Sequence, residues 1–169
     1  MTLLIISHVV HKKDKGCFYA YGPYVREINI WIKYVDRVVI VAPLYKNTLP
    51  SPIDVAYRHL RIKFIQIPEF NIITVKSLIK TLAALPMIFA QVVRGMKMSN
   101  HIHIRCPGNI GLIGCLAQIF FPLKPKTAKY ASNWDWNSRQ PWSYRLQQRI
   151  LRNTFLTHRM TALVYGDWP

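Results

Sequence analysis

HIHIRCPGNIGLIGCLAQIFF, residues 101–121, is the stretch on which the fold turns. A short β-branched run, with His101 and His103 alternating along it, leads into Arg105. Pro107, Gly108, Asn109 and Gly111 follow, and then an apolar pattern at helical spacing. A strand that enters a helix through a glycine-rich turn is the repeating unit of an α/β domain. The same succession recurs on both sides. LLIIS (3–7) precedes a polar loop and a helical pattern in YVREINIWIKYV; RVVIVAP (37–43) and RIKFIQIP (61–68) flank a proline-rich loop. Downstream come KTAKYAS (126–132), a helix opening at Pro141 and TALVYG (161–166). This order predicts an α/β domain over residues 1–169, with a mainly parallel sheet of about six strands and right-handed crossovers.

The chain has 169 residues, enough for one domain with a real core. Its 23 Lys and Arg against 7 Asp and Glu give a formal charge of +16, which favours polyanionic neighbours such as nucleic acid or an anionic lipid surface. The start, MTLLIISHVVHKKDK, has neither a basic region before its apolar run nor a small-residue cleavage site, so no secretory leader is expected. Cys17, Cys106 and Cys115 are too few and too irregular for a disulfide framework or a zinc site. Neutral thiols in a reducing, cytoplasmic setting are the expectation. Within FNIITVKSLIKTLAALPMIFAQVV (70–93), Lys76, Lys80 and Pro86 interrupt the apolar run, and the part from Thr81 to Val93 is too short to span a bilayer. Its helical periodicity fits a helix docked on a sheet, or an interfacial helix whose lysines meet anionic headgroups. The last strand is followed at once by Asp167, Trp168 and Pro169. A covering helix would close such a sheet, so we expect a fragment or one half of a larger protein.

Parallel sheets bind ligands beyond the carboxyl ends of their strands. That selects Ser7, His8 and His11 after the first strand, Arg105 to Gly111 after the fourth, and Asn133, Trp134, Asp135 and Trp136 after the fifth. Gly108, Gly111 and Gly114 follow the wrong strand, at the wrong spacing, for a dinucleotide fingerprint, and the lysine of a P-loop is missing. Two uses of the turn remain. Backbone N–H groups beside Arg105 form an anion or polyol site, or the glycines serve the turn and close helix packing. Asn133, Trp134 and Asp135 offer hydrogen bonds and a stacking face to a sugar ring, or form a capping turn with an anchoring tryptophan. His8 and His11 lack a third ligand, and no metal is expected. His8 and Asp135 are the loop residues suited to act as a general base or polarising group. Arg145, Arg149 and Arg152 share a helix face suited to solvent or to an anionic membrane.

Four segments together resemble a known family: YAYGPYVREINIW, IRCPGNIGLIG, AKYASNWD and QPWSYRLQQRILRNTFL. They are similar to the amino-terminal, acceptor-binding domain of GT-B glycosyltransferases, the family 4-like enzymes of bacterial polysaccharide assembly, over nearly the whole chain. The resemblance implies a Rossmann-like, three-layer domain that binds a glycan or lipid-linked acceptor, with a nucleotide-sugar donor held by a carboxy-terminal half. It also implies retention of anomeric configuration. Gly22 would border the cleft near the donor diphosphate, although Pro23 follows it where the family has a second glycine. Arg105, Asn109, Asn133, Trp134 and Asp135 would line the acceptor side. No cofactor is expected in this half. The expected partners are the acceptor, the donor-binding half and an anionic membrane, with the protein peripheral on its cytoplasmic face and no specific nucleic acid. The rival expectation is a non-catalytic basic module that binds nucleic acid or an anionic membrane surface. No nucleic-acid motif accompanies the charge.

Overall fold

The computed structural model describes residues 1–69, 75–135 and 137–166, and the backbone alone of residues 75–80. The expectations that rest on residues 70–74, on the side chains of Lys76 and Lys80, on Trp136 and on the final Asp-Trp-Pro lie outside the described residues.

Among the described residues, nine strands and four α-helices follow in the order β1 (Thr2–Ile6), β2 (His11–Asp14), β3 (Cys17–Tyr21), α1 (Gly22–Trp31), β4 (Arg37–Tyr45), β5 (Asp54–Ala56), β6 (Ile62–Ile67), α2 (Val75–Lys97), β7 (His101–Cys106), α3 (Asn109–Ala117), β8 (Lys126–Tyr130), α4 (Trp142–Arg152) and β9 (Met160–Leu163). Six of these strands pair in parallel in the spatial order β6-β4-β1-β7-β8-β9. Counted along the chain, that is third, second, first, fourth, fifth, sixth. The winding direction therefore reverses between β1 and β7, and a crevice opens beyond their carboxyl ends. The architecture is α/β with a mostly parallel mixed sheet, compatible with a Rossmann-like fold.

Local sequence accounts for the layers. β1 and the centre of β4 are near-continuous apolar runs because both of their faces are covered. Leu3, Ile5, Val38 and Ile40 point to α1, where they meet Tyr24, Val25 and Ile28. Leu4, Ile6, Val39, Val41, Ile102 and Ile104 point the other way, into a larger core with Ile88, Val92 and Met96 of α2, Ile110 and Ile113 of α3, and Ile150 and Leu151 of α4. Gly95 lets α2 approach closely; a β-carbon there would lie 2.9 Å from both Leu4 Cδ1 and Val41 Cγ2. The carbonyl end of α2 is held by Lys124, whose ammonium donates to the carbonyls of Met96 (2.6 Å), Lys97 (3.2 Å) and Ser99 (2.6 Å). A cation at that terminus also opposes the helix dipole.

The expected sheet of about six strands corresponds to the parallel core, and three further strands correct the count. β2 and β3 form an antiparallel hairpin in the stretch expected as a polar loop, and β5 adds antiparallel to β3. The hairpin turns through Lys15 (φ 45°) and Gly16 (φ 82°); positive φ at both central residues matches the right-handed twist of the strands. β2 joins the main sheet in parallel at Leu44 and Tyr45, beyond the level of the β1 pairing. The arm thus stands at the carboxyl edge. Cys17 lies exposed on it, unlike the buried Cys106 and Cys115.

Candidate functional site at the carboxyl edge of the sheet

Between the ends of β1 and β7 lies a cleft of about 260 Å³, lined by His8, Pro43, Glu69, Pro107, Gly108, Asn109, Ile110 and Tyr144. Each wall has a local cause. β1 ends at Ile6, so His8 emerges at the reversal point. β7 ends at Cys106, and the following turn places Gly108 at the start of α3. No side chain caps that helix start, so its first N–H groups face the cleft mouth without an intramolecular side-chain partner. Gly108 also touches His8: a β-carbon at 108 would lie 2.7 Å from His8 Nδ1. Across the cleft, Tyr45 donates a 2.5 Å hydrogen bond to Glu69 Oε2.

His8 is open to solvent on one side and crowded by protein on the other. That partial burial first, and the Arg105 charge second, hold its imidazole below the ordinary value, so it is neutral at pH 7. A neutral imidazole beside an uncapped helix start and a carboxylate can accept a proton or hydrogen bond from a hydroxyl ligand. His11 has a different task. It is fully buried, with Nδ1 2.8 Å from the Val9 carbonyl and Nε2 2.7 Å from the Tyr57 hydroxyl. Nδ1–H therefore donates to Val9, and Tyr57 donates to Nε2. Both nitrogens are thus engaged within the fold. Burial holds His11 at about 4.

Arg105 points away from this cleft. Ile102, Ile104 and Cys106 fill the core on the α2–α4 side, so strand alternation sends His101, His103 and Arg105 to the α1 face. There the Arg105 guanidinium lies 4.7 Å from the centre of the Tyr24 ring, and its Nη1 is 3.9 Å from Glu27 Oε2. Lys129, its register partner on β8, reaches Glu27 Oε1 at 3.4 Å and lies over the Tyr165 ring at 4.5 Å. His103 beside them packs edge-on to Trp31, and burial above all holds it at about 3. Parallel strands are ordinarily apolar on both faces. This sector is not.

The remaining expected site residues divide. Asn109 lines the cleft with His8. Asn133 and Asp135 serve the turn after β8: Asn133 Oδ1 accepts from the Asp135 amide at 2.8 Å, and Asp135 Oδ1 from the Asn137 amide at 2.9 Å. Trp134 is an anchor, 9 % exposed and edge-on to Tyr130 at 5.0 Å, within the core that α4 covers. The single concave surface expected from Arg105, Asn109, Asn133, Trp134 and Asp135 is therefore not assembled, because Arg105 and Trp134 leave the edge on opposite faces. Gly22 is buried, and its amide donates to the Ile53 carbonyl at 2.9 Å, so that N–H is occupied. Gly111 serves packing, since a β-carbon there would lie 2.6 Å from the Arg105 carbonyl. Sequence reasoning missed Tyr144, Pro43, Glu69, Lys129 and Glu27 as site residues. For Lys129, a charge inside a strand otherwise suited to burial was the available signal. No protein-family model, curated protein or solved structure matches the chain.

Proposed function

We propose that this chain is the acceptor-binding half of a sugar-nucleotide-dependent glycosyltransferase of the GT-B type, acting on a glycan or lipid-linked acceptor. The observation that carries the reading is the cleft at the reversal point, where neutral His8, the uncapped start of α3 and the Glu69 carboxylate converge. A sugar is a ring of hydroxyls, and this set supplies hydrogen-bond donors at the helix start and acceptors at His8 and Glu69. Held there, an acceptor hydroxyl keeps its orientation for attack, and His8 polarises it by accepting its hydrogen bond. The donor nucleotide-sugar belongs, in this reading, to a second half.

The surface favours a membrane-borne acceptor. From residue 70 to residue 166 there are 13 Lys and Arg and one acidic residue, Asp135; of these Lys126 is buried, and Arg105 and Lys129 largely so. Arg145, Arg149 and Arg152 are exposed on α4 in line with Trp142, which is 74 % exposed. Phe155 (89 %) follows the helix, and Leu123 (75 %) is tied to the same region through the bond from Arg159 to its carbonyl. Apolar side chains interleaved with arginines suit a headgroup layer better than a nucleic acid backbone. This surface supports association with an anionic membrane; the cytoplasmic face is part of the proposal.

The division of labour is tested by calorimetric titration of this chain with UDP- and GDP-sugars. Binding no tighter than millimolar is expected. Micromolar affinity would overturn the assignment to the acceptor half.

A further inference from the structure

We propose that Arg105 and Lys129 form a site for a phosphoryl group on the α1 face of the sheet, a site that Glu27 occupies in the free protein. The two cations stand side by side on adjacent parallel strands, near the carboxyl ends where ligands bind. Their side chains are only 16 % and 17 % exposed, and among the described residues both are paired with one carboxylate. Glu27 is 3.9 Å from Arg105, beyond hydrogen-bond length, and Arg105 Nη1 is buried without any hydrogen-bond partner. A largely buried guanidinium ordinarily meets its donors with oxygens, because leaving them unmet is costly.

Charge selects the ligand. Two cations and one carboxylate leave one positive charge uncompensated in a half-enclosed place. A phosphoryl dianion balances both cations, and its oxygens match the planar fork of arginine. A carboxylate ligand only repeats what Glu27 already supplies. Glu27 is 26 % exposed on α1, so it can turn outward as the ligand enters. The site requires nothing of the glycosyltransferase reading, but the identity of the phosphate as part of a lipid-linked acceptor rests on it.

The test is an NMR titration of the intact chain with inorganic pyrophosphate, read at the Arg105 side-chain Nε–H. A saturable shift is expected, weakened about tenfold or more in Arg105→Gln and in Lys129→Gln. Either variant suffices if the other does not fold, and Lys33→Gln serves as a surface control without effect. Glu27→Gln separates a ligand site from a structural ion cluster: removing the competing carboxylate should tighten binding roughly threefold or more. No saturable shift at Arg105, or a folded Glu27→Gln protein that binds no tighter, overturns the site. In a second arm, neutral phosphatidylcholine vesicles carry a polyprenyl diphosphate. Arg105-dependent binding to them supports a lipid-borne source. If pyrophosphate binds as described and these vesicles do not, the phosphoryl site stands and the lipid-linked acceptor falls.

Discussion

His11 and His103 are buried neutral imidazoles, 0 % and 1 % exposed, and they make the fold sensitive to acid. Their folded values of about 4 and about 3 lie below the ordinary 6.5, so the unfolded chain binds their protons first as pH falls. Stability present above about pH 6.5 is thus lost on acidification, down to each folded value, by about 1.4 kcal/mol per pH unit for each histidine. Urea denaturation at a series of pH values should show this slope, and His11→Gln should remove about half of it. A stability that is flat across that range would contradict the burial of both rings. His8 offers a test of the cleft itself. Gly108→Ala forces the solvent-facing ring aside, since the new methyl would otherwise sit 2.7 Å from Nδ1. At φ 157° alanine also strains the backbone, so some stability is lost; in the folded protein the His8 titration by NMR should move up toward its ordinary value as the ring leaves its crowded position. An unmoved titration would mean that Gly108 does not set the ring.

Among the elements, α2 shows how a cation outside a helix can fasten it. Lys124→Met removes three donations to the carbonyls at its end, and a cost of about 1–2 kcal/mol is expected. Thermal unfolding should fall by several degrees for a chain of this size, and an unchanged Tm would show that water replaces the ammonium without loss. The elements that the sequence announces are those whose burial is written locally. LLIIS and RVVIVAP are apolar because helices cover both of their faces, and their strands lie within a residue or two of the expected limits. The hairpin of β2 and β3 was hidden because HKKD is charged and short, and its link to the main sheet is a two-residue pairing with β4, far along the chain. β5 has three residues inside a proline-rich stretch, too few to display a period. The site was legible to the same degree. Turns at strand ends pointed to His8 and Asn109, because topology alone brings β1 beside β7. Which face Arg105 and Trp134 take depends on register, and Glu27 meets Lys129 only through the packing of α1, which no local pattern records.

At the scale of the whole molecule, charge and topology assign different surfaces to different tasks. The cleft lies at the carboxyl edge, while α4 carries Trp142, Arg145, Arg149 and Arg152 along its outer side. Among the described residues no helix is long and apolar enough to cross a membrane. Co-sedimentation with anionic vesicles should weaken as salt rises, because each basic residue near the lipid contributes about 1 kcal/mol that ions screen. Replacing Arg145, Arg149 and Arg152 together by Gln should abolish most of the binding at moderate salt. Equal binding to neutral vesicles would remove the electrostatic account, and preference for single-stranded or duplex nucleic acid over vesicles would support the rival basic module. The central claim is that the cleft at the reversal point holds the acceptor and not the donor. Its most direct test is an NMR map of the isotopically labelled chain in nanodiscs, titrated with a polyprenyl-diphosphate-linked sugar and, separately, with UDP- and GDP-sugars. The account predicts that the lipid-linked sugar shifts the Gly108, Asn109 and Ile110 amides and the His8 ring, while the nucleotide-sugars leave them in place. Nucleotide-sugars that shift those same signals at micromolar concentration, or a lipid-linked sugar that leaves them unmoved, would contradict it.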